Sequence, residues 1–495
     1  MATMLSNMAK AKHFLAFDLG AESGRAVLGK LDGKHLSLEE KHRFPNPNGK
    51  IGGHLHWNLL QQWEELKTGL KKAGVALDGI GVDTWGVDFG LVGKNGEILG
   101  NPFMYRDSRT DGMMDAVFKK VPRDKVFEAT GIQFMQLNSL FQLFAMAKAK
   151  SPLLEIAQTL LFVPDLFNYL FTGQRKSEFS IATTSQMYDP RKKRWATEML
   201  EKLGLPTKIL PTIVPSGTVI GPLSEEIATE CGVGAIPVIA PACHDTGSAV
   251  AAVPAQGQGW CYISSGTWSL MGVELDEPII NEKSLKYNYT NEGGVGGTIR
   301  FLKNIMGLWL VQECRRHFTK EGHDHSYAEL TDMAGRARPF GALIDPDHGP
   351  FLTPGEMPIK IEQFCKKTKQ QPPSTRGEFV RCCLESLALT YRRTLEGLED
   401  VMGKRIATIH IVGGGSQNLL LNQMTADACG RTVIAGPIEG TAIGNILVQA
   451  MAVGQVKSLD DARAIVRGSF DVKSYEPREH EKWETAYRKY REVTK

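Results

Sequence analysis

Two stretches of similar pattern decide the fold: Leu15 to Gly29 reads LAFDLGAESGRAVLG, and Gly259 to Leu275 reads GWCYISSGTWSLMGVEL. Each joins two apolar runs through a short turn of Gly, Ser, Thr or acidic residues, which predicts a β-hairpin. Turns rich in Gly and Ser leave backbone N–H groups unshielded, so several can converge on phosphate oxygens. One copy alone is more typical of an ordinary tight turn, but two copies predict a nucleotide clamp formed by two lobes.

Composition and charge narrow the class of protein. The chain has 495 residues, 42% hydrophobic and 23% charged, enough for two to three globular domains. Its net charge of +3, without a basic block, predicts no nucleic-acid partner. The absence of a long apolar run and of a hydrophobic N-terminal signal predicts a cytoplasmic protein with no membrane partner. The eight cysteines show no CxxC pair and are expected to be reduced thiols.

Strand-like and helix-like segments alternate along the chain, which predicts α/β architecture. The pattern predicts helical structure over 104–120, 305–318 and 376–402, and a short buried strand at 237–240. Residues 406–437 predict a strand, a triple-glycine turn, a helix and another strand, with the helix beginning after Ser416 as its cap. The basic and acidic residues of 478–495 are typical of a solvated helix face.

The triple glycine, Gly413 to Gly415, would let a flat adenine or ribose lie against bare backbone. A tight connection from strand to helix explains the same glycines equally well. The sequence contains no GxxxxGK[ST] motif and no HRD and DFG pair, so it is neither a P-loop protein nor a protein kinase. A phosphate site would therefore belong to the hairpin class.

Asp245 is the main candidate for chemistry. It follows an apolar strand and His244, and it opens a helix of small residues, the corner where α/β proteins bind ligands. A carboxylate there, kept ionised by the helix dipole, could accept the proton of a hydroxyl during phosphoryl transfer. Helix capping is the alternative. Asp18, inside the first hairpin, is better suited to holding Mg²⁺ through water, and His244 could orient a substrate oxygen.

Asp83 and Asp88 flank Trp85 and Gly86. Either carboxylate could accept hydrogen bonds from sugar hydroxyls. A structural position at the end of a strand is about as compatible with the pattern.

Together these residues resemble the FGGY carbohydrate kinases of the actin-like ATPase superfamily. The resemblance extends from about residue 13 to about 445 through DLGAESGR, GVDTWGVDFG, YRDSRT, PACHDTGSAV, YISSGTWSLMG, NIMGLWLVQE, VGGGSQN and AGPIEGTAIGN. It implies a two-lobed α/β fold of the actin-like, ribonuclease H-like type with an interlobe cleft. The implied domains are an N-terminal FGGY domain on the sugar side (1–250), a C-terminal FGGY domain on the adenine side (251–460) and a C-terminal helical tail (461–495).

The resemblance also implies an activity: transfer of a phosphoryl group from ATP, with Mg²⁺, to the 1-hydroxyl of L-rhamnulose, giving L-rhamnulose 1-phosphate and ADP. A monomer or homodimer is expected. The implied proton acceptor is Asp245. The implied sugar contacts are Gly86, His244, Asp245, Thr246 and Asn304. The implied ATP contacts are Ala21, Glu22, Ser23, Gly24, Arg25, Thr267, Gln312 and Gly414.

Two alternatives remain open. The chain could phosphorylate another ketose, such as L-fuculose or a pentulose, because epimers differ only in the direction of one hydroxyl. It could also be an ATP-gated interaction protein on the same scaffold, which would need a partner-binding addition after the nucleotide motifs.

Overall fold

The computed structural model describes residues 11–494. Most of the N-terminal stretch, for which the sequence predicts no signal region, therefore lies outside the described residues. The strands are β1 (Lys12–Leu19), β2 (Ser23–Asp32), β3 (His35–Pro45), β4 (Asn48–Ile51), β5 (His54–Trp57), β6 (Gly79–Thr84), β7 (Phe89–Val92), β8 (Thr159–Phe162), β9 (Lys176–Glu178), β10 (Tyr188–Asp189), β11 (Arg194–Trp195), β12 (Thr212–Val214), β13 (Thr218–Pro222), β14 (Pro237–Ala240), β15 (Trp260–Ser265), β16 (Trp268–Leu275), β17 (Thr290–Gly293), β18 (Ile299–Met306), β19 (Thr408–Val412), β20 (Thr432–Ala435) and β21 (Lys473–Tyr475).

The helices are α1 (Leu59–Lys71), α2 (Met113–Phe118), α3 (Arg123–Thr130), α4 (Ser139–Lys148), α5 (Pro152–Ile156), α6 (Val163–Thr172), α7 (Phe179–Thr183), α8 (Thr197–Lys202), α9 (Glu225–Cys231), α10 (Asp245–Ala251), α11 (Glu282–Tyr287), α12 (Trp309–Lys320), α13 (Tyr327–Arg336), α14 (Met357–Lys367), α15 (Arg376–Met402), α16 (Leu419–Cys429), α17 (Gly440–Ala452), α18 (Leu459–Ser469) and α19 (His480–Val493). Among the described residues, no helix has the length and apolar character needed to cross a membrane.

The chain forms two compact units. Unit 1 contains the residues up to Pro254, with Glu274–Phe301 and Gly440–Phe470. Unit 2 contains Ala255–Val273, Leu302–Glu439 and the residues from Asp471 onward. The stretch 461–495, predicted as a helical tail, contributes most of α18 to unit 1 and α19 to unit 2.

The sheet of unit 1 has the strand order β13-β14-β6-β1-β2-β3. Strands β14, β6 and β1 are parallel, and β1 and β2 form the first predicted hairpin. The register pairs Asp18 with Asp83, and an isolated bridge pairs Thr84 with His244. Because the carboxyl ends of parallel strands meet at one edge of a sheet, these side chains gather at the same edge.

Close packing against α17 fixes the position of α10 in unit 1. A Cβ on Gly444 of α17 would lie 2.6 Å from the carbonyl carbon of Ser248, so only glycine permits this approach. A Cβ on Gly247 would lie 2.9 Å from the Cβ of Ala242. The small residues that open α10 therefore serve packing, which holds Asp245 in a defined place.

Unit 2 carries a sheet with the order β18-β16-β15-β19-β20-β21. Strands β15 and β16 form the second predicted hairpin, and β15, β19 and β20 are parallel. The predicted long helix is confirmed as α15, which begins with a reciprocal cap between Thr375 and Glu378 and ends at Gly403, whose φ is +64°.

Three predicted helix boundaries are wrong. The segment predicted over 104–120 contains only a 3-10 turn at Ser108–Thr110 and α2, because Gly112 adopts a φ of +70° between them and the carboxylate of Asp107 accepts the N–H groups of Leu55 and Arg109. The helix predicted over 305–318 begins at Trp309, since Ile305 and Met306 complete β18.

The third wrong boundary is the start of α16. Residues Gly414–Gln417 form a 3-10 turn, and α16 begins at Leu419. The side chain of Asn418 caps it by accepting the N–H of Leu421. Ser416 does not act as the cap because its hydroxyl donates to the carbonyl of Gly413.

Candidate active site

Asp245 is the first residue of α10, directly after the edge where β14 ends. Its side chain is 30% exposed, and its Oδ1 accepts hydrogen bonds from the backbone N–H and the hydroxyl of Thr246, at 2.5 and 3.2 Å. The N-cap position is occupied by His244, whose side chain makes no capping hydrogen bond, so Asp245 is the acidic residue that serves the first turn of α10. The carboxylate is held in place and still reaches solvent.

Burial raises the pKa of Asp245, and the nearby charge of Asp18 raises it further. The sequence predicted only the effect of the helix dipole, which favours the ionised form. A carboxylate whose pKa is raised is a stronger base, which suits a group that accepts a proton from a hydroxyl.

His244 and Gly86 lie against each other in unit 1. A Cβ on Gly86 would lie in ordinary contact with Nε2 of His244, at 3.4 Å, and slightly closer to Thr184, at 3.3 Å. Nε2 of His244 also lies 3.4 Å from Oδ1 of Asp245. Four of the five predicted sugar contacts, Gly86, His244, Asp245 and Thr246, are therefore neighbours, whereas Asn304 lies on β18 in unit 2.

Two buried charged residues contact the other ring nitrogen of His244. Nδ1 lies 3.2 Å from Oε2 of Glu292 and 3.1 Å from Nη2 of Arg300. Arg300 is fully buried and also donates from Nε to the carbonyl of Gly293 at 2.7 Å. Sequence reasoning missed both residues. Neither stands in a recognisable motif, and both lie about fifty residues from His244 along the chain.

The first hairpin turn contains Ala21 and Glu22, and Ser23, Gly24 and Arg25 begin β2. Arg25 forms an ion pair with Asp18, Nη2 to Oδ2 at 2.5 Å, because the two residues face each other in the hairpin register. Gly24 lies against the ring of Phe44, which leaves no room for a Cβ. The turn thus places a cation beside the candidate metal-binding carboxylate.

Asp83 is fully buried at the end of β6 and accepts a hydrogen bond from Nδ2 of Asn445 at 2.5 Å. Burial raises its pKa well above the ordinary value, and the charge of Asp18 raises it further. Its Oδ1 has no hydrogen-bond partner among the described residues. With no exposed surface and an amide on one oxygen, Asp83 is not accessible to a sugar in this structure.

Asp88 belongs to a structural network. Its Oδ2 accepts from the indole N–H groups of Trp57 and Trp85 and from the backbone N–H of Tyr105, and its Oδ1 accepts from Gln142. Burial raises the pKa of Asp88 to about 6. With these four donors and no exposure, Asp88 supports the segment around Gly86 and does not bind ligand.

The residues of unit 1 suit a divalent ion of the magnesium type. Mg²⁺ usually binds proteins through one or two carboxylates and completes its shell with water and phosphate oxygens. Asp18, at the end of β1, supplies one such carboxylate, whereas Asp83, its neighbour in register, has no exposed surface through which to reach an ion. Within residues 11–494 no group of three or more His, Cys, Asp or Glu side chains could enclose a metal. The donor set therefore fits an ion held mainly by water and phosphate.

The second hairpin turn, in unit 2, contains Gly266 and Thr267. The carbonyl of Thr267 accepts the N–H groups of Gly307 and Trp309, at 3.1 and 3.2 Å. The hydroxyls of Ser269 and Tyr391 lie 2.6 Å apart beneath the hairpin. The start of α12 and the middle of α15 therefore hold this turn.

Different features of the structure explain why glycine stands at each of the three positions after β19. Gly413 has a φ of +87°, which favours glycine, and a Cβ on Gly415 would lie 2.9 Å from the carbonyl oxygen of Ser265. A Cβ on Gly414 would meet nothing within 4 Å. Backbone conformation and packing explain two of the glycines, and only Gly414 remains available for a ligand.

Gln312 lies one turn into α12 with its Oε1 buried and without a hydrogen-bond partner in the described part of the chain. A buried acceptor left open is costly unless a ligand donor satisfies it. The exocyclic amine of adenine is one such donor.

Comparison with known proteins identifies the class. A model of the N-terminal domain of the FGGY family of carbohydrate kinases matches residues 13–252, and a model of its C-terminal domain matches residues 261–453. The fold is similar to that of a xylulose kinase from Lactobacillus acidophilus (TM-score 0.80, 15% identity, 97% of each chain). It is also similar to that of a glycerol kinase from Plasmodium falciparum (TM-score 0.77, 15% identity, 98% of each chain).

Among curated proteins, the chain is 46% identical to a rhamnulokinase from Bacteroides thetaiotaomicron, over 96% of this chain and 98% of that protein. It is 40% identical to a rhamnulokinase from Enterococcus faecalis, over 96% of both. The fold is thus that of the two-lobed, actin-like sugar kinases, as the sequence predicted. The chain belongs to the FGGY family of carbohydrate kinases and is an ATP-dependent kinase.

Proposed function

We propose that this kinase transfers the γ-phosphoryl group of ATP to the 1-hydroxyl of L-rhamnulose. The similarity to proteins named rhamnulokinase extends over nearly the whole length of both chains, which supports a shared substrate. The observation that carries the chemistry is the partly exposed carboxylate of Asp245 beside His244 and Gly86.

In the proposed reaction, the 1-hydroxyl oxygen attacks the γ-phosphorus, the bond to the β,γ-bridging oxygen breaks, and ADP leaves. Asp245 accepts the hydroxyl proton, which the loose transition state of phosphoryl transfer requires only late. His244 and Thr246 orient the sugar beside that carboxylate. Asn304 is proposed as a further sugar contact.

The first turn, from Ala21 to Arg25, is proposed to bind phosphates of ATP through backbone N–H groups and the cation of Arg25. Thr267, Gln312 and Gly414 of unit 2 are proposed to contact the nucleotide. Asp18 would hold Mg²⁺ through water, and bound Mg²⁺ would supply charge neutralisation at the phosphates. We propose a cytoplasmic enzyme, monomeric or homodimeric, without nucleic-acid or membrane partners.

The test is release of ADP with MgATP and a panel of L-rhamnulose, L-fuculose, L-xylulose, D-xylulose and glycerol. We expect a marked preference for L-rhamnulose in kcat/KM. We expect Asp245→Asn to lower kcat by about 10²-fold to 10⁴-fold, because a general base contributes that much, while ATP binding by titration calorimetry stays unchanged.

Asp189→Asn is the matched control. Asp189 is buried in the same unit, and its Oδ1 accepts the N–H groups of Arg191 and Lys192, which an asparagine oxygen can also accept. It should retain wild-type turnover. Preference for another ketose would replace the proposed substrate, near wild-type turnover of Asp245→Asn would remove the proposed base, and slow hydrolysis of ATP without any sugar dependence would favour the interaction protein.

A further inference from the structure

The two ring nitrogens of His244 face chemically different groups. Nε2 is near Gly86 and Oδ1 of Asp245, the side on which the proposed substrate binds. Nδ1 faces the buried pair of Glu292 and Arg300, which are 3% and 0% exposed. The question is which nitrogen carries the hydrogen.

Arg300 answers this question, because a guanidinium is always charged and only donates hydrogen bonds. Its Nη2 lies 3.1 Å from Nδ1 of His244 and 3.3 Å from Oε2 of Glu292, so it is within reach of both as a donor. A hydrogen on Nδ1 would point at this N–H group, and Oε2 of Glu292, 3.2 Å from Nδ1, would be its competing acceptor; the charge of Glu292 is instead matched by Arg300 at 3.3 Å. A neutral imidazole that accepts at Nδ1 carries its hydrogen on Nε2.

The arrangement holds Arg300 firmly. Nε donates to the carbonyl of Gly293 at 2.7 Å, on the same short strand, β17, that carries Glu292. Glu292 supplies the negative charge that a fully buried guanidinium needs, since an uncompensated buried charge is strongly destabilising. Glu292 and Arg300 can therefore hold the imidazole ring of His244 from its Nδ1 side.

We propose that Arg300, held by Glu292, is a positioning residue that keeps His244 in the Nε2–H tautomer. His244 then donates from Nε2 toward the carboxylate of Asp245 and toward an oxygen of the sugar. The assignment of this donor to a sugar oxygen rests on the proposed function. Neither Glu292 nor Arg300 touches the reacting atoms.

The direct test is nitrogen-15 NMR of the full chain labelled on histidine, with His244→Gln used to assign the His244 signals. At neutral pH we expect the Nε2–H tautomer. A hydrogen on Nδ1, or on both nitrogens, overturns the proposal. Because this measurement needs no substrate, its outcome is independent of which ketose, if any, the enzyme phosphorylates.

A graded series tests the consequence for catalysis. Arg300→Met removes the donor, and we expect loss of the Nε2–H signal and a fall in kcat of about tenfold to a hundredfold on the preferred ketose, with the KM for ATP unchanged. Arg300→Lys restores a donor and should recover the tautomer and part of the turnover. If Arg300→Met does not fold, the tautomer and turnover of Arg300→Lys and Glu292→Gln still decide the matter.

Arg463→Lys is the matched control. Arg463 is another buried arginine of unit 1, paired with Oε2 of Glu274 at 2.9 Å and donating to the carbonyl of Val250. We expect its tautomer spectrum and kcat to match the wild type. An equal fall of kcat in Arg463→Lys would assign Arg300 a purely structural role, and wild-type turnover in Arg300→Met would show that Arg300 does not position His244 for turnover.

Discussion

The turn between β1 and β2 is held by residues close to it in the sequence, whereas the turn between β15 and β16 is held by residues far along the chain. In the first, the side chain of Asn46 donates to the carbonyl of Gly20 at 2.8 Å, and its backbone N–H donates to Glu22. The ion pair of Asp18 and Arg25 spans the turn itself. All of these residues belong to the first three consecutive strands or adjoin them.

The second turn depends on other contacts. Gly307 and Trp309 donate to Thr267 from the start of α12, and Tyr391 reaches Ser269 from 122 residues away. Similar local patterns therefore produce similar hairpins with different supports. We expect substitutions distant in sequence to affect the second turn, and with it the nucleotide contacts proposed for unit 2, but not the first turn.

The largest expected effect is that of Gly415→Ala. The new Cβ would lie 2.7 Å from the Cβ and 2.9 Å from the carbonyl oxygen of Ser265, at the end of β15, so backbone must shift. We expect a loss of about 3 kcal/mol in the free energy of unfolding, measured in urea, because overpacking costs that much. The KM for ATP should rise about tenfold.

Gly414→Ala is its control for stability, because a Cβ there meets nothing within 4 Å. Its unfolding should match the wild type. Equal stability of the two variants would show that the packing of Gly415 against Ser265 does not support the second turn.

A smaller effect is expected for Tyr391→Phe, which leaves the buried hydroxyl of Ser269 without the partner it has at 2.6 Å. The free energy of unfolding should fall by about 1 to 2 kcal/mol. The KM for ATP should rise while the KM for the sugar does not change. Tyr169→Phe, which loses a hydrogen bond of 2.8 Å to Gly96 in unit 1, should lower stability without altering the KM for ATP. If Tyr391→Phe and Tyr169→Phe had the same KM for ATP, the second turn would not depend on the distant hydrogen bond from Tyr391.

The smallest effect is expected for Asn46→Ala in the first turn. It removes the donor to Gly20 and leaves Nε2 of Gln62 without its acceptor, at a cost of about 1 kcal/mol. Because the ion pair of Asp18 and Arg25 remains, the KM for ATP should rise only about twofold. Asn58→Ala, which removes the cap of α1, should match it in stability with no change in KM. If the KM for ATP of Asn46→Ala rose as much as that of Gly415→Ala, the first turn would also depend on a single contact.

Much of the fold could be predicted because its signals are local. Alternating apolar residues around a short polar turn specify both hairpins, and capping residues together with a following glycine specify α15. The predictions failed where a contact outside the expected pattern decided a boundary, either a distant one, as between Asp107 and Leu55, or a local one, as at Ser416. Ser416 has the chemistry of a cap, yet its hydroxyl bonds to Gly413 and Asn418 takes its place.

By itself, the sequence determined the α/β class, the two hairpins and the corner occupied by His244 and Asp245, since these depend on neighbours in the chain. Only the tertiary structure decided that Arg300 and Glu292 stand behind His244, and that Asp83 faces Asp18. The physical reason is that pairing of parallel strands and burial of charge join residues separated by tens of positions. A pattern of neighbouring residues in the sequence cannot predict such contacts.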